Sequence, residues 1–387
     1  MDGRLHHLRD DEHGFSYVFI GAGFLAFFSA AALALDVGFF MTARSQAQNA
    51  ADAGALAGAV ALVFDSYTNR STSGPVVQSA INTGRDNVVM DGLVDIQSSD
   101  VTFPLAPDGQ ANRVRVNVFR TIDRSNPLAT LIGPLLGVNT VNIDATATAE
   151  ASLANAMSCV KPFTIPDRWI EVNNPPWTTS SRYQRYYESG SKKGQLLPVP
   201  DRYPTVGAAD YNGYNMETDK GLLLTIRAGT GNNIEPSMYF SWAMPGGTGA
   251  NWYTDNISGC NTSLVHFNDP IVLEPGNMVG PTNQGIDLLI AQDPGAYWNT
   301  TTKRVVSTKN PSPRTVPIPL FDPEYYHSGK VNGRNADFKV ANWIGFFIVG
   351  RSGNDVSGRI TPITGIFDGN AGPAPPGSFP RYIRLVE

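Results

Sequence analysis

Side chains able to do acid–base or metal chemistry are few in this sequence and follow no catalytic spacing. Of the five histidines, His6, His7 and His13 precede an apolar N-terminal segment. Only His266 and His327 follow that segment, too few for a metal site built mainly from histidine. The HExxH, GxSxG, GxxxxGK and CxxC patterns, which place a metal, a nucleophile, a phosphate or a redox pair, do not occur. We therefore predict no enzymatic activity, no cofactor and no metal site.

Carboxylate pairs in the second half of the chain are the remaining candidates for catalysis or calcium binding. Asp287 and Asp293 form one such pair, and Asp322 and Glu324 form another. Converging carboxylates serve glycoside hydrolases and calcium sites. The spacing of these pairs is not that of a known motif, and acidic loop residues are usually solvated. A membrane-anchored hydrolase is therefore a rival hypothesis, and it requires the carboxylates to meet in a deep pocket.

The composition indicates a folded protein that does not bind nucleic acid. The chain has 387 residues, which favours two folded units. Hydrophobic residues make up 42% and charged residues 16%, so disorder is not expected as the main state. The formal net charge is -5, and lysine and arginine do not cluster as a phosphate-binding surface requires. Nucleic acid is therefore excluded from the expected partners.

The segment of residues 15–35 contains neither charge nor proline and is long enough to cross a membrane. At 1.5 Å per residue it spans about 31 Å, the thickness of the hydrocarbon core of a bilayer. A cleaved secretory signal is the alternative, but its apolar region is usually shorter and ends at a cleavage site. The helical pattern here continues without proline to about residue 64. We predict a transmembrane helix in contact with the lipid bilayer.

The orientation of this helix follows from the basic residues that flank it. Arg4 and Arg9 precede the segment and Arg44 follows it, which favours a cytoplasmic N-terminal tail over residues 1–14. The only two cysteines, Cys159 and Cys260, both follow the helix. An even count in an oxidising compartment favours a disulfide, although two buried free thiols also fit the sequence. This orientation places everything after the helix outside the cytoplasm.

The second half of the long helix is dense in small residues. Gly54 and Gly58 lie one turn apart, so a neighbouring helix could approach the backbone closely. Gln48, Asn49 and Asp52 interrupt the alanines with groups that can form hydrogen bonds to a neighbouring helix. Two interpretations fit this pattern: contact with helices of other subunits, or packing on the protein's own folded domain.

These residues carry a resemblance to a known family. Residues 36–38 (DVG), Arg44 and residues 48–59 (QNAADAGALAGA) resemble the N-terminal signature of the TadG-like proteins of Tad/Flp pilus assembly. The resemblance implies an inner-membrane protein whose partners are pilin or pseudopilin subunits and other Tad components. The residues that it implies for contact with partner helices are Arg44, Gln48, Asn49, Asp52, Gly54 and Gly58.

The predicted fold class is α+β. The transmembrane helix of residues 15–35 is expected to extend into a TadG-like, pilin-like α+β domain over residues 36–156. After the long helix, the pattern predicts a helix over 76–90, strands over 94–103 and 112–120, a short helix over 126–136 and a strand over 140–151. A long helix followed by a small mixed sheet is the pilin-like plan.

Residues 157–387 are predicted to form a mainly β, sandwich-like or barrel-like periplasmic or extracellular domain. All six tryptophans lie beyond Cys159, and glycine, proline and asparagine clusters separate short apolar runs. The runs expected to form strands are residues 222–226, 238–242, 271–273, 286–290, 316–321 and 343–349.

The leading functional hypothesis is therefore a TadG-like, membrane-anchored assembly factor or minor pseudopilin that acts through protein–protein contacts. The alternative is a membrane-tethered extracytoplasmic protein that binds a glycan or surface ligand. Tyr183, Tyr186 and Tyr187 could form its aromatic binding surface, or they could pack on the β domain.

Overall fold

The computed structural model of the protein describes residues 12–229, 234–276, 278–331 and 338–386. The chain divides into two compact units. The first unit runs to Glu150 and includes the C-terminal residues from Arg384; the second unit runs from Ala151 to Ile383. The sequence predicts this division at residue 156 and assigns every later residue to the β-rich domain. Of the predicted cytoplasmic tail, residues 1–11 lie outside the described part of the chain.

Helices dominate the start of the chain and strands dominate the remainder. The helices are α1 (Glu12–Phe64), α2 (Pro75–Arg85), α3 (Met216–Asp219), α4 (Ala250–Ser258), α5 (Val279–Ala291) and α6 (Pro323–Val331). The strands of the first half are β1 (Val88–Val89), β2 (Gly92–Leu93), β3 (Val101–Thr102), β4 (Arg113–Arg120), β5 (Leu128–Ala129), β6 (Thr140–Val141), β7 (Ile143–Leu153), β8 (Ala156–Met157) and β9 (Phe163–Pro166). The later strands are β10 (Leu223–Ala228), β11 (Met238–Ser241), β12 (Val265–His266), β13 (Pro270–Ile271), β14 (Tyr297–Asn299), β15 (Arg304–Val306), β16 (Thr315–Phe321), β17 (Phe338–Ser352), β18 (Asp355–Thr361) and β19 (Arg381–Val386).

Helix α1 is continuous and has two different environments. Within the described residues it is the one helix long and apolar enough to span a membrane. Its first half, from Tyr17 to Leu35, exposes large apolar side chains on every side. In its second half, Ala50, Ala55 and Ala59 are fully buried, because that half packs on α2 and β4. The predicted continuous helix to about residue 64 is confirmed.

The first unit is completed by a four-stranded sheet with the order β19-β7-β4-β3. Strands β4 and β7 pair antiparallel along their shared length. The buried carboxylate of Glu150 forms ion pairs with Arg113 at 3.0 Å and with Arg384 at 2.6 Å. Because one arginine comes from β4 and the other from β19, this carboxylate links three strands of the sheet.

The predicted helix over residues 76–90 corresponds to α2, but it ends at Arg85 and Val88–Val89 form strand β1. Two other predictions of secondary structure in the first unit are wrong. The expected helix over residues 126–136 consists of strand β5 and a 3-10 turn at Gly133–Leu136. Pro134 and the left-handed Gly137 prevent a longer helix. The expected strand over 94–103 contains a 3-10 turn at Ser98–Asp100 before the short β3. The predicted strands over 112–120 and 140–151 correspond to β4 and to β6 with β7.

The second unit is built on a closed ring of strands. The neighbours run in the order β17-β16-β9-β11-β10-β18, and β18 also pairs with β17, which closes the ring. Strand β13 pairs with β17 outside it. The α+β class with a β-rich C-terminal region is confirmed, and within the described residues its main sheet is barrel-like. The apolar run at 286–290, predicted to form a strand, lies in helix α5. This prediction is wrong because a short apolar run fits a helix as well as a strand.

A disulfide joins Cys159 to Cys260, which are 101 positions apart. Cys159 follows β8, and Cys260 follows α4. The disulfide predicted from the sequence is therefore present in the structure.

A buried carboxylate organises the interior of the second unit. Asp167 accepts hydrogen bonds from the hydroxyls of Tyr203 at 2.8 Å and Tyr211 at 2.6 Å, and from the backbone amides of Arg168 and Tyr214. Burial raises the pKa of the Asp167 carboxyl to about 6, and these four donors only partly oppose the shift.

Replacing Asp167 by asparagine is expected to change how stability depends on pH. The folded protein binds the proton of Asp167 more tightly than the unfolded chain does, so this group stabilises the fold at low pH. Its contribution falls by about 3 kcal/mol as the pH rises from about 4 to about 6. Denaturant titrations followed by tryptophan fluorescence report on the second unit, since every tryptophan lies there. The difference between wild type and Asp167→Asn should change across this pH range; parallel curves would contradict the prediction.

Candidate interaction surface of the long helix

The polar side chains predicted to contact partners lie on one side of α1. Arg44, Gln48 and Asn49 are exposed, and Asp52 is half-buried. Residues three and four positions apart lie on the same face of a helix, so these four side chains form one surface, which we call the polar face. It begins about two and a half turns beyond the apolar segment that ends at Leu35.

Gln48 fixes the polar face to the sheet of the first unit. Its Nε2 donates to the Oδ1 of Asp52 at 2.9 Å and to the backbone oxygen of Thr146 at 3.1 Å. Thr146 lies on β7, so the hydrogen bond joins helix to strand across 98 positions of the chain. These two hydrogen bonds hold the side chains of Gln48 and Asp52 in a fixed arrangement.

A groove lies beside the polar face within the first unit. Its volume is about 460 Å³. It is lined by Gln48, Asp52, Arg115, Thr146, Ala147, Thr148, Leu385 and Val386. The lining of the groove is polar in one part and apolar in another. Arg115 donates a hydrogen bond to the Thr148 hydroxyl at 3.0 Å, and Leu385 exposes an apolar side chain. The sequence did not identify these strand residues, since β4, β7 and β19 are far from the helix along the chain and only the fold brings them together.

The space beside the two glycines predicted to admit a partner helix is filled by other parts of the first unit. A Cβ atom at Gly54 would lie 2.9 Å from the backbone oxygen of Ala80, and one at Gly58 would lie 2.7 Å from Cγ1 of Val114. Ala80 belongs to α2 and Val114 to β4. For these two residues the structure shows packing on the protein's own domain, the second interpretation that the sequence allowed. The role of Arg44, Gln48, Asn49 and Asp52 in partner contact stays a prediction.

The carboxylates considered for hydrolysis are engaged in local contacts. Asp287 forms a bidentate pair with Arg351. Asp293 accepts from the hydroxyls of Ser307 and Ser312, and these bonds lower the pKa of its carboxyl. Among the described residues, no group of three or more histidine, cysteine, aspartate or glutamate side chains could hold a metal ion.

The second carboxylate pair also serves the local structure. Asp322 accepts from the amides of Glu324 and Tyr325 at the start of α6, at 2.9 Å each. Glu324 is paired with Arg185 at 3.0 Å. Burial raises the pKa of both carboxyls. The Asp322 carboxylate therefore caps helix α6, and the Glu324 carboxylate forms an ion pair.

The aromatic side chains of the second unit are turned largely inward. Tyr183 is buried, packs at 5.6 Å on the ring of Trp169 and contacts the buried His327. Burial, aided by neighbouring arginines, lowers the pKa of His327 to about 4 and keeps this imidazole neutral near pH 7. Tyr186 and Tyr187 are half-buried, and none of the six tryptophans is exposed.

A pocket of about 310 Å³ lies in the second unit. Its polar lining includes Asn155, His266, Asp322 and Lys339. The Nε2 of His266 lies 2.9 Å from the carboxylate of Asp368, and Lys339 lies 3.6 Å from Asp322. His266 and Lys339 are therefore each paired with a carboxylate at this pocket.

Within the described residues, these features define a protein with one N-terminal helix long and apolar enough to span a membrane, continued by a half that carries the polar face. The comparisons with known proteins concern the same helix. Residues 15–61 match the family model described as putative Flp pilus-assembly TadE/G-like. This match confirms the TadE/TadG-like N-terminal region recognised from the sequence, and it supports a role related to Tad/Flp pilus assembly. No curated protein and no solved structure gives a significant match to the chain.

Proposed function

We propose that the protein is a TadG-like component of Tad/Flp pilus assembly, anchored in the bacterial inner membrane and acting as an assembly factor or minor pseudopilin. The observation that carries this proposal is the continuity of α1. One helix passes from an apolar half exposed on every side to a half that packs on the first unit and presents the polar face outward. A rigid connection of this kind couples a membrane anchor to a protein-binding surface.

The location of each part follows from the same helix. The N-terminal tail lies in the cytoplasm, residues 15–35 cross the inner membrane, and the second unit lies in the periplasm or outside the cell. The disulfide between Cys159 and Cys260 supports this location, because such bonds persist in oxidising compartments. The partners are pilin or pseudopilin subunits and other Tad components, which meet the polar face and its adjacent groove.

The buried aromatics favour assembly over the glycan-binding alternative. Aromatic platforms that bind sugars present ring faces to solvent, whereas Tyr183 and Trp169 pack inside the second unit. A membrane-tethered glycan-binding protein is therefore the second hypothesis, to be adopted if the crosslinking experiment below finds no partner.

Photocrosslinking from the polar face is expected to capture a Tad component in cells of the native host. A photoreactive amino acid at Asn49 replaces an exposed side chain and leaves the bonds of Gln48 intact. The same residue at Gln110, exposed on the loop between β3 and β4, is the matched control. Mass spectrometry should identify a pilin or another Tad/Flp protein in the Asn49 adduct and not in the Gln110 adduct.

Two outcomes would contradict the proposal. Equal capture at Asn49 and Gln110 would show that the polar face has no special affinity. Adducts only within the chain at Asn49 would mean that the helix serves its own domain, and the tethered binding protein would become the better hypothesis.

A further inference from the structure

A short hairpin of the first unit ends at the level where the apolar half of α1 ends. The carboxylate of Asp36, the first charged residue after the span, accepts hydrogen bonds from three consecutive backbone amides of the hairpin tip. The distances are 2.9 Å to Leu131, 3.2 Å to Ile132 and 2.8 Å to Gly133. The tip, residues 130–139, is therefore attached to the helix at the predicted boundary of the membrane.

The direction of the hairpin follows from two contacts with α1. Thr146 on β7 meets Gln48, and Ile132 meets Asp36, twelve positions nearer the N-terminus of the helix. At 1.5 Å per residue these two points of the helix lie about 18 Å apart. The hairpin that includes β5 and β6 thus runs from the sheet toward the predicted membrane, with its tip foremost.

The tip is compact. Thr130 donates its hydroxyl to the oxygen of Val138 at 2.6 Å, and the Val138 amide donates to Gly133 at 2.9 Å. A Cβ atom at Gly133 would lie 2.5 Å from the Val138 oxygen, so the two sides of the tip close on each other. The tip is thus held by its own hydrogen bonds as well as by Asp36.

The large side chains that the tip exposes are apolar, and Asn139 is a polar exposed residue beside them. Leu131 is 60% exposed, Leu135 is 84% exposed and Val138 is 50% exposed. From Ser125 to Ile143 the chain contains no Asp, Glu, Lys or Arg. On α1 the neighbouring Val37 and Met41 are exposed as well. A compact, uncharged surface with leucines outermost, continuous with an apolar span, suits the boundary between lipid headgroups and acyl chains.

We propose that the hairpin tip of residues 130–139 inserts Leu131, Leu135 and Val138 into the interfacial region of the lipid leaflet at the C-terminal end of the span. Asp36 is the positioning residue that holds the tip at this depth. The inference rests on the proposed membrane anchoring. Its consequence is a second point of contact with the bilayer, which restrains the first unit against tilting and rotation on its single helix.

Depth-dependent fluorescence quenching tests the insertion in full-length protein reconstituted into phosphatidylcholine–phosphatidylglycerol vesicles. Both native cysteines are bonded to each other, so one introduced cysteine can carry an environment-sensitive fluorophore. Labels are placed at Leu135, at Phe27 in the span and at Leu105, which is 62% exposed. Leu105 lies on the loop near Arg70, beyond the far end of α1, and is the matched water-facing control.

The Leu135 label is expected to shift its emission to shorter wavelength and to be quenched most by lipids that carry a spin label near the headgroup. That pattern corresponds to a depth of about 5 to 10 Å. The Phe27 label should be quenched most by spin labels deep in the acyl chains, and the Leu105 label by neither. In the Asp36→Ala variant, which removes the acceptor of three amides, the Leu135 label should lose most of its quenching while the Phe27 label keeps its own.

The other outcomes separate the causes of failure. A quenched Phe27 label with a Leu135 label that behaves like Leu105 would overturn the inference and leave the anchoring intact. An unquenched Phe27 label would overturn the anchoring, and the inference with it. A blue-shifted Leu135 label that lipids do not quench, and whose shift depends on the protein-to-lipid ratio, would mean that a second copy of the chain covers the tip.

Discussion

Breaking the disulfide is expected to lower the free energy of unfolding of the second unit by about 4.7 kcal/mol, because Cys159 and Cys260 close a loop of about 100 residues. Domains of this size are stable by about 5 to 15 kcal/mol, so the loss removes a large fraction of the total. Denaturant titration of the Cys159→Ser/Cys260→Ser protein, followed by tryptophan fluorescence, measures the effect in the unit that holds every tryptophan.

The single variants distinguish the covalent link from side-chain packing. Cys159→Ser and Cys260→Ser each break the same bond, so each alone should cost about as much as the double change. Reduction of the wild-type protein should shift its titration curve to the same midpoint. Costs that simply add between the two single variants would mean that local packing, and not the link, provides the stability.

Gly54→Leu is expected to destabilise the first unit by about 3 kcal/mol, the upper part of the usual range for overpacking. A Cβ atom there already meets the backbone oxygen of Ala80 at 2.9 Å, and Val116 closes the other side at 3.3 Å. The backbone of α2 cannot yield without separating from α1, so the extra volume must open the helix pair. Thermal unfolding in detergent, followed by far-ultraviolet circular dichroism, reports on the two helices that dominate this unit.

Gly38→Leu is the matched control on the same helix. Nothing lies within 4 Å of a Cβ atom at Gly38. Its effect should stay within about 1 kcal/mol, the difference in helix propensity between the two residue types. Equal destabilisation by Gly54→Leu and Gly38→Leu would show that the close packing of Gly54 on α2 does not stabilise the unit.

The long helix shows what local sequence can determine. Charge-free residues 15–35 and the alanine-rich continuation predicted one helix to about residue 64, and α1 ends at Phe64. Helix formation and membrane insertion depend on residues close together in sequence, through backbone hydrogen bonds and side-chain hydropathy. The alternation in β4 and β7 likewise predicted their strands, because a half-buried strand alternates its side chains. The disulfide followed from the cysteine count and the predicted compartment.

The partners of these elements depended on contacts distant in sequence. Gly54 and Gly58 fit a partner helix and the protein's own α2 and β4 equally well on sequence grounds, and only the distances to Ala80 and Val114 distinguish the two. The apolar run at 286–290 became helix α5, since tertiary packing decides between helix and strand for a short run.

The sequence by itself determined a helix apolar enough to span a membrane, the likeness of residues 15–61 to the TadE/G-like family model, the β-rich second half and the cysteine pair, because each depends on local composition and spacing. Only the tertiary structure placed Thr146 beside Gln48 and joined Asp36 to the amides of residues 131–133. Those contacts join positions almost 100 residues apart. They arise from the way the sheet packs along α1, a property of the assembled fold that no local pattern encodes.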